Sequence, residues 1–313
     1  MTLPHIEAAQ IDRALQGTLL IDRLKAAFRD GAEVPLRHHH HVDLPGAAGG
    51  TLLLMPAWRA GGPLGVKVVS VYPDNPSRGL PSVIGLYLLF DGTTGQPRAV
   101  LDGVPLTLHR TAAASALAAR FLARPDAATL LMVGAGALAP YLIRAHSLVR
   151  PIREVMIWNR NPGRARDLAG KLAREGFACR AVEELAAAAP KADIVSCATM
   201  SSQPLVQGAW LRPGTHLDLV GAYTPKMRET DDEAVRRASL FVDTRQGGTS
   251  EAGDIVDPLA RGVIAARDIR ADLYDLCQGR HAGRSTPEEI TLFKSVGTAL
   301  EDLAAADLVM ERL

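Results

Sequence analysis

A glycine-rich turn between two apolar runs is the segment of this sequence with the clearest chemical meaning. "VGAGALA", residues 133–139, has the pattern Gly134-x-Gly136-x-x-Ala139, a variant that dinucleotide-binding folds accept. Gly134 permits the tight turn, and Gly136 lets the backbone approach a pyrophosphate. The helix that follows presents free N–H groups and its positive dipole end to the phosphates. The pattern predicts nucleotide binding, with a plain glycine turn as the alternative.

Two arginines follow the next predicted strand, at a turn where dinucleotide-binding folds usually carry an acidic residue. In "EVMIWNRNPGRA", residues 154–165, Asn159 and Arg160 stand at the strand's end, and Arg164 follows four residues later. A carboxylate there favours NAD, whereas a guanidinium binds a 2′-phosphate through a planar, bidentate pair of hydrogen bonds. Asn159 is able to hydrogen-bond the ribose without charge. We therefore predict NADPH in preference to NADH, with a solvated arginine as the alternative.

The sequence before this region has the pattern of an α+β domain. Residues 11–30 have apolar side chains at three- and four-residue spacing, which predicts a helix. Residues 51–101 contain short apolar runs bounded by Gly, Pro, Asp and Asn, and these runs predict antiparallel strands. The alanine-rich run 110–124 predicts a helix that the hydroxyl of Thr111 caps.

From residue 129 onward the pattern becomes strand, helix, strand. Such alternation predicts right-handed crossovers and a parallel sheet covered by helices on both faces. The tail, residues 286–313, predicts one or two final helices, with Thr286 and Glu289 at capping-box spacing. The fold class is therefore α/β, a Rossmann-type doubly wound parallel sheet together with an α+β domain of mostly antiparallel strands.

The bulk properties exclude several classes of function. The 313 residues carry 35 basic and 34 acidic side chains, a formal net charge of +1, which gives no footprint for nucleic acid or an anionic membrane. The three cysteines, Cys179, Cys197 and Cys277, have no metal-binding spacing and fit a reducing compartment. Neither a signal peptide nor a membrane-spanning apolar run is evident. We expect a soluble cytoplasmic protein.

Five segments together resemble the ornithine cyclodeaminase/mu-crystallin family over nearly the whole chain. They are "GVKVVSVYPDNP" (65–76), "LHRTAAASALAARFLA" (108–123), "VGAGALA" (133–139), "SEAGDI" (250–255) and "LFKSVGTALEDLAAA" (292–306). The resemblance implies a Rossmann domain, residues 114–287, and a substrate-binding and dimerisation domain, residues 1–113 together with 288–313. It also implies a homodimer.

The resemblance implies a substrate site lined by three cations. They are Arg37 of "PLRHHHH", Lys67 of "GVKVVS" and Arg110 of "LHRTAA", and Val296 contacts the substrate beside them. Lys67 and Arg110 are the expected catalytic residues. Arg110, expected just ahead of a helix amino end, is placed to bind a carboxylate. Lys67 lies on a mostly apolar strand and is therefore expected to point inward. Because burying an unpaired ammonium is costly, this position favours a role for Lys67 in the site over a solvent-facing lysine.

The family's nucleotide-binding positions are also matched in this chain. The resemblance assigns cofactor contacts to Ser82, Ala137, Leu138, Asn159, Thr199, Val220, Gly221 and Ser295. Four further cofactor contacts are inferred from the glycine turn and the end of the next strand: Gly134, Gly136, Arg160 and Arg164.

Within the family the sequence is most similar to the cyclic ketimine reductases. These reduce Δ1-pyrroline-2-carboxylate to L-proline and Δ1-piperideine-2-carboxylate to L-pipecolate, and the resemblance implies NADPH-dependent hydride transfer to C2 of such a cyclic imino acid. Cyclodeaminases carry an Asp where this chain has Tyr223, which disfavours ornithine cyclisation. An amino-acid dehydrogenase, a cyclodeaminase and a thyroid-hormone-binding protein remain alternatives. Solvent, Lys67 through a water molecule, and Tyr223 are candidate proton donors, and ring size stays open.

Two further groups of polar residues have more than one interpretation. The run His38–His41 suits a solvated or interface segment better than a metal site, because alternate residues of a strand face opposite sides and no carboxylate or cysteine cluster completes a ligand set. No metal is therefore expected. Glu251 and Asp254 of "EAGDI" are either loop and cap residues or partners of the cations in the substrate site.

Overall fold

The computed structural model describes residues 3–46 and 49–313. It divides into two compact units, Met1–Arg110 with Thr298–Leu313, and Thr111–Gly297. Each unit contains one sheet of its own. The domain boundaries expected from the sequence, at residues 113/114 and 287/288, stay a prediction about independently folding domains.

The first unit is an α+β unit built on a six-stranded sheet with the order β1-β6-β5-β4-β3-β2. All neighbouring strands are antiparallel except β1 and β6. Its elements are β1 (His5–Ile6), α1 (Ala8–Ala14), α2 (Leu19–Asp30), β2 (His38–Val42), β3 (Gly50–Trp58), β4 (Pro63–Val71), a short 3-10 helix (Asn75–Arg78), β5 (Val83–Asp91), β6 (Pro97–Asp102), the start of α3 (Gly103–Leu122) and the last helix, α11 (Ala299–Arg312).

Strand alternation gives this sheet two different faces. Met55, Lys67, Tyr87 and Leu101 lie opposite one another on β3 to β6, and all four are buried. Helix α11 packs against β3, β4 and β5. The alternate residues of the strands form the other face, where Leu86 is 45% exposed.

The second unit has an eight-stranded sheet with the order β13-β12-β14-β11-β10-β7-β8-β9, in which all neighbours are parallel. Its strands are β7 (Thr129–Val133), β8 (Glu154–Trp158), β9 (Cys179–Ala181), β10 (Ile194–Cys197), β11 (His216–Leu219), β12 (Ser239–Val242), β13 (Ile269–Asp272) and β14 (Thr291–Lys294). Its helices, after the remainder of α3, are α4 (Ala139–Val149), α5 (Pro162–Arg174), α6 (Leu185–Ala188), α7 (Asp232–Arg237), α8 (Arg245–Ser250), α9 (Gly253–Ala260) and α10 (Leu273–Cys277), with short 3-10 helices at Ala189–Lys191, Gly208–Trp210 and Ala266–Asp268.

The central strands of this sheet are buried on both faces, as expected of a parallel sheet with helices above and below. The strand order reverses between β7 and β10. A crevice forms outside the carboxyl ends of the strands at such a reversal, and ligands of doubly wound sheets bind there. The predicted α/β fold class, a parallel Rossmann-like sheet with a mostly antiparallel second sheet, is confirmed.

The position of one helix differs from the expectation. Helix α3 begins at Gly103, directly after β6, and the Asp102 carboxylate accepts the Val104 N–H at 3.0 Å at its start. Thr111 therefore lies inside the helix and does not cap it. Arg110 also lies in the helix interior, so the prediction that a helix amino end helps Arg110 was wrong. Pro105 falls in the first turn of the helix, where proline is tolerated, and the apolar, alanine-rich run that follows continues the helix to Leu122.

Two terminal regions also differ from their predictions. Residues 11–30 are not one helix, because α1 ends at Ala14 and Gly17, with φ +76°, turns the chain before α2. In the tail, Thr291–Lys294 forms strand β14 between β11 and β12 instead of a helix. All four residues are buried there, so pairing inside the sheet decides the structure of a segment that is too short to show a period of its own. The Glu289 N–H does donate to Thr286 Oγ1 at 3.2 Å, but no helix follows.

Among residues 3–46 and 49–313, none of the helices combines the length and the apolar character that crossing a bilayer requires.

Candidate active site

A buried cluster of charges in the first unit contains two of the three predicted cations. The Lys67 Nζ lies 2.7 Å from Asp302 Oδ2. Arg110 donates from Nε to Asp302 Oδ1 at 3.0 Å and from Nη1 to Glu301 Oε2 at 2.7 Å. Lys67 is 3% exposed and Arg110 5%, while both carboxylates are fully buried. Asp302 thus bridges the two cations.

Three elements bring these four side chains together. Lys67 points toward α11 because it lies in the buried row of β4, opposite Met55 on one neighbour and Tyr87 on the other. Arg110 lies on α3, and the adjacent Glu301 and Asp302 lie in the first turn of α11, where the helix dipole favours negative charge.

Burial and neighbouring charges set the protonation of the cluster. Burial lowers the pKa of Lys67 to about 8, with Asp302 opposing the fall and Arg110 and Arg37 adding to it. Burial also acts against ionisation of Asp302, yet Arg110 and Lys67 hold the pKa of this carboxyl below its usual value. Lys67 is therefore a cation at neutral pH that loses its proton far more readily than a free lysine does.

The third predicted cation, Arg37, is half-buried in the segment before β2, and its charge reaches Lys67. Arg110 and Lys67 place a buried guanidinium and a buried ammonium on the same carboxylate, Asp302. Cations held in this way suit a small ligand that brings a carboxylate.

In the second unit, the glycine turn has the geometry that a pyrophosphate needs. Gly134 has φ +113°, and a Cβ on it would lie 2.7 Å from the carbonyl oxygen of Ala198, so only glycine fits there. A Cβ on Gly136 would meet no atom within 4 Å. Within the described chain, the N–H groups of Gly136, Ala137 and Leu138 make no recorded hydrogen bond before α4 begins. These residues fit a dinucleotide phosphate group.

The segment after β8 presents two cations to solvent. Arg160 and Arg164 are exposed, and neither makes an ion pair among the residues that the structure describes. Asn159 accepts the Ala135 N–H at 3.2 Å and donates to the Asn161 carbonyl at 3.0 Å. Asn159 therefore ties this segment to the glycine turn, and the two guanidinium groups remain available to an anion.

The loops after β10 and β11 are held together by one buried carboxylate. Glu229 Oε1 accepts the Thr199 N–H at 2.7 Å and the Thr199 hydroxyl at 2.8 Å. Its Oε2 accepts the N–H groups of Gly221 at 2.8 Å and Ala222 at 3.3 Å. A Cβ on Gly221 would lie 2.0 Å from the Thr199 carbonyl oxygen, so this close approach requires glycine.

A second carboxylate and a lysine lie beside Glu229. Asp254 Oδ1 accepts the N–H groups of Glu229 at 2.7 Å and Thr230 at 3.1 Å, and Lys294 donates to Asp254 Oδ2 at 3.3 Å. Lys294 Nζ is 4.0 Å from Glu229, and all three side chains are fully buried. Burial raises the pKa of Glu229, and Lys294 opposes the rise. Asp254 thus pairs with a lysine outside the predicted cation set.

The predicted residues Ser295 and Val296 follow β14 and are positioned by Asp243. The Oδ2 atom of Asp243 accepts the N–H groups of Val296 and Gly297, both at 2.6 Å, and the Ser295 hydroxyl at 3.2 Å. The Thr244 N–H donates to its Oδ1 at 2.6 Å. One buried carboxylate therefore fixes the backbone of the whole segment.

The remaining predicted residues lie at strand ends or on the surface. Val220 is buried after β11, and the Ser82 carbonyl, just before β5 in the first unit, accepts the Tyr72 N–H at 2.8 Å. Tyr223 is 47% exposed. Strand β2, which contains His38–His41, is at the edge of its sheet with all four imidazoles exposed. Among the described residues, no three His, Cys, Asp or Glu side chains converge as metal ligands do.

Sequence reasoning missed five buried charged residues that organise these sites: Asp302, Glu301, Glu229, Lys294 and Asp243. A signal exists for some of them, because "TALEDLAAADLVM" and "ITLFKSV" place charges inside otherwise apolar runs. Since a charge within a buried run needs a partner, such charges can be considered as candidate ion-pair partners of one another.

Comparisons with known proteins give consistent results. A sequence model of the ornithine cyclodeaminase/mu-crystallin family matches residues 6–313. The Δ1-pyrroline-2-carboxylate reductase of Paracoccus denitrificans is 43% identical over 284 residues, which covers 90% of each chain. The structure of the Thermococcus litoralis Δ1-pyrroline-2-carboxylate reductase with NADH and L-proline has a TM-score of 0.92 and 37% identity, covering 99% of this chain and 97% of the other. An archaeal alanine dehydrogenase dimer with bound NAD has a TM-score of 0.89 and 29% identity, covering 100% and 96%.

Proposed function

Because the chain belongs to the ornithine cyclodeaminase/mu-crystallin family, we propose that it reduces cyclic imino acids with NADPH. The chain is a nicotinamide-dependent oxidoreductase that acts on a C=N bond. The proposed reactions are Δ1-pyrroline-2-carboxylate to L-proline and Δ1-piperideine-2-carboxylate to L-pipecolate. Relatives named Δ1-pyrroline-2-carboxylate reductase support this choice of substrate class.

The observation that carries the proposal is the buried cation cluster of the first unit. Arg110 and Lys67 are both buried and are held in place by Asp302 and Glu301, and the charge of Arg37 is near enough to lower the pKa of Lys67. A cyclic imino acid brings one carboxylate, which binds this cluster with charge-assisted hydrogen bonds. Val296 provides an apolar contact for the ring. The carboxylate-binding residues thereby orient C2 of the substrate, and orientation is a major part of the rate enhancement.

When bound, the reduced nicotinamide supplies the hydride that C2 accepts. The glycine turn with Gly134, Gly136, Ala137 and Leu138 is proposed to hold the pyrophosphate. Ser82, Asn159, Thr199, Val220, Gly221 and Ser295 are proposed to make the other contacts. The fit rests on the free N–H groups before α4 and the open space over Gly136.

We propose NADPH in preference to NADH because of the cations after β8. Arg160 and Arg164 are exposed and have no acidic partner in the described part of the chain, so a 2′-phosphate gains their full attraction. No acidic residue at that turn is present to hold ribose hydroxyls or to repel a phosphate.

Lys67 is our proposed source of the proton that the ring nitrogen receives, through a water molecule. Its pKa of about 8 keeps it charged at neutral pH and close to the pH at which proton transfer is efficient. Tyr223, 47% exposed in the other unit, is the less favoured candidate. We also expect a homodimer and a cytoplasmic location.

The direct test follows the absorbance of NADPH with the purified protein and each of the two cyclic imino acids, beside NADH and beside ornithine. We expect oxidation of NADPH with at least one imino acid and no turnover of ornithine. Arg110→Met serves as the matched variant, because it keeps an unbranched side chain and removes the carboxylate-binding charge. Turnover of ornithine together with inertness toward both imino acids would overturn the proposal.

A further inference from the structure

The buried side-chain carboxylate of Glu229 accepts hydrogen bonds from groups of the predicted cofactor loops. Its four bonds come from Thr199 N–H and hydroxyl, at 2.7 and 2.8 Å, and from the N–H groups of Gly221 and Ala222, at 2.8 and 3.3 Å. Three of the four partners are backbone N–H groups, which can only donate, and they contact both oxygens of the carboxyl. These donors favour the ionised form of Glu229.

The surrounding cluster does not balance this charge. Asp254 also faces donors alone, namely two backbone N–H groups and Lys294 at 3.3 Å. Two buried carboxylates thus share one ammonium, which leaves one negative charge in a region where all three side chains are fully buried. Nearby Arg228 does not neutralise it, because Arg228 forms ion pairs with Asp232 and Asp257.

The strand order brings this carboxylate close to the proposed cofactor site. In that proposal the glycine turn after β7 and Arg160 after β8 would hold the phosphates and the adenosine ribose. A dinucleotide bound across the reversal of strand order would then have its nicotinamide half near the carboxyl ends of β10 and β11. Thr199 and Gly221 stand at those two strand ends, and Glu229 binds both.

We propose that Glu229 is a positioning residue that also biases the bound cofactor toward its oxidised form. The inference rests on the proposed function. The oxidised nicotinamide ring carries a positive charge and the reduced ring does not, so a fixed anion below the site lowers the free energy of the oxidised state. The same anion would stabilise the positive charge that develops on the nicotinamide ring as the hydride leaves it. Among the bound species, Glu229 would thereby favour the oxidised cofactor, while the equilibrium in solution is unchanged.

The test measures cofactor binding in the absence of any imino acid. Dissociation constants for the oxidised and the reduced cofactor are determined by titration calorimetry and nicotinamide fluorescence, with both the phosphorylated and the unphosphorylated pair. For Glu229→Gln we expect affinity for the oxidised form to fall about tenfold more than affinity for the reduced form. Loss of loop geometry alone weakens both forms equally and leaves their ratio unchanged.

Two further variants keep the proposal open to refutation. Asp257→Asn removes a nearby carboxylate that is paired at the surface, and we expect no change in the ratio. Asp254→Asn removes a buried charge of the same cluster. We expect it to shift the ratio of the two dissociation constants, oxidised to reduced, in the direction expected for Glu229→Gln. It provides the test if Glu229→Gln does not fold. An unchanged ratio in a folded Glu229→Gln or Asp254→Asn protein overturns this inference and leaves the proposed function standing. A wild-type protein that binds no nicotinamide nucleotide contradicts the proposed function and the inference with it.

Discussion

At the scale of single residues, Asp302 controls the charge of Lys67. Burial alone lowers the pKa of the ammonium, and Arg110 and Arg37 lower it further, while Asp302 at 2.7 Å is the neighbour that raises it. The resulting pKa of about 8 lies within the range where enzymes are assayed. The ionisation of Lys67 is therefore expected to appear in the pH dependence of the reaction.

We predict that kcat/KM for the imino acid falls above about pH 8, because the free enzyme then loses the Lys67 proton. Replacement of Asp302 by Asn removes a charge that raises the Lys67 pKa, so the fall moves to lower pH. It also removes one partner of a buried pair, which costs about 3–5 kcal/mol of stability in urea unfolding. The imine substrate also titrates, but its titration is the same for the wild type and the variant, so it does not cause a difference between their pH profiles. An Asp302→Asn profile that superimposes on the wild-type profile contradicts the role of Lys67.

Asp307→Asn is the matched control, because Asp307 lies on the same helix and pairs with Arg23 instead of Lys67. We expect its pH profile to match the wild type.

A second residue-scale prediction concerns Arg160. Arg160→Asp should reduce kcat/KM for NADPH on the order of 10- to 100-fold, the worth of a charge-assisted hydrogen bond, and leave NADH unimpaired. Arg166→Asp is the control, because Arg166 lies nearby on α5 and faces Glu183 at 3.7 Å. Retention of the NADPH preference in Arg160→Asp would show that our cofactor assignment is wrong.

At the scale of elements, two glycines should separate folding from cofactor binding. Gly221→Ala places a methyl group where the Thr199 carbonyl oxygen lies, at 2.0 Å, and we expect a loss of about 1–3 kcal/mol of stability together with weaker NADPH binding. Gly136→Ala meets no protein atom within 4 Å, so it should weaken NADPH binding without lowering Tm. Thermal unfolding and fluorescence titration measure both quantities. Equal NADPH affinity in Gly136→Ala and the wild type would contradict the placement of the pyrophosphate.

Some helices and strands could be predicted from the local sequence pattern, and others could not. The strands β3 to β6 and the strand–helix alternation after residue 129 could be predicted, because their apolar runs are bounded by turn residues. Strand β14 could not, since "TLFK" is too short to show a period and becomes a strand only by pairing with β11 and β12. The start of α3 was missed for a related reason, because Thr111 resembles a cap yet lies inside a helix.

At the scale of the whole molecule, we propose that the expected homodimer forms through one face of the first unit's sheet. Leu54, Val68 and Leu86 lie side by side on β3, β4 and β5, away from the buried row. Leu86 is 45% exposed and Ile84 likewise. An antiparallel sheet with a free face usually alternates apolar and polar residues, and this face is apolar.

We predict that Leu86→Asp turns the proposed dimer into a monomer, because it would bury a charge in the middle of the proposed interface. Light scattering at micromolar concentration measures the mass. Leu148→Asp is the control, since Leu148 is 46% exposed on α4 of the second unit. A monomeric wild type, or a dimeric Leu86→Asp variant, would contradict this assembly.

The candidate sites were partly predictable at this scale. Lys67 and Arg110 stand in motifs that can be matched by eye, and so do the glycines of the nucleotide turn. The carboxylates that hold them were not predictable, because Asp302 follows Arg110 by 192 residues and only the folded chain brings them within 3.0 Å. Glu229 and Asp243 were missed for the same reason.

The most direct measurement of the central claim follows the hydrogen itself. NADPH that carries deuterium at the reactive face of nicotinamide C4 is supplied with Δ1-pyrroline-2-carboxylate and enzyme in ordinary water, and the L-proline formed is examined by NMR. The account predicts one deuterium at C2, with the hydrogen on nitrogen drawn from solvent. L-Proline without deuterium at C2, or label at another carbon, would contradict it.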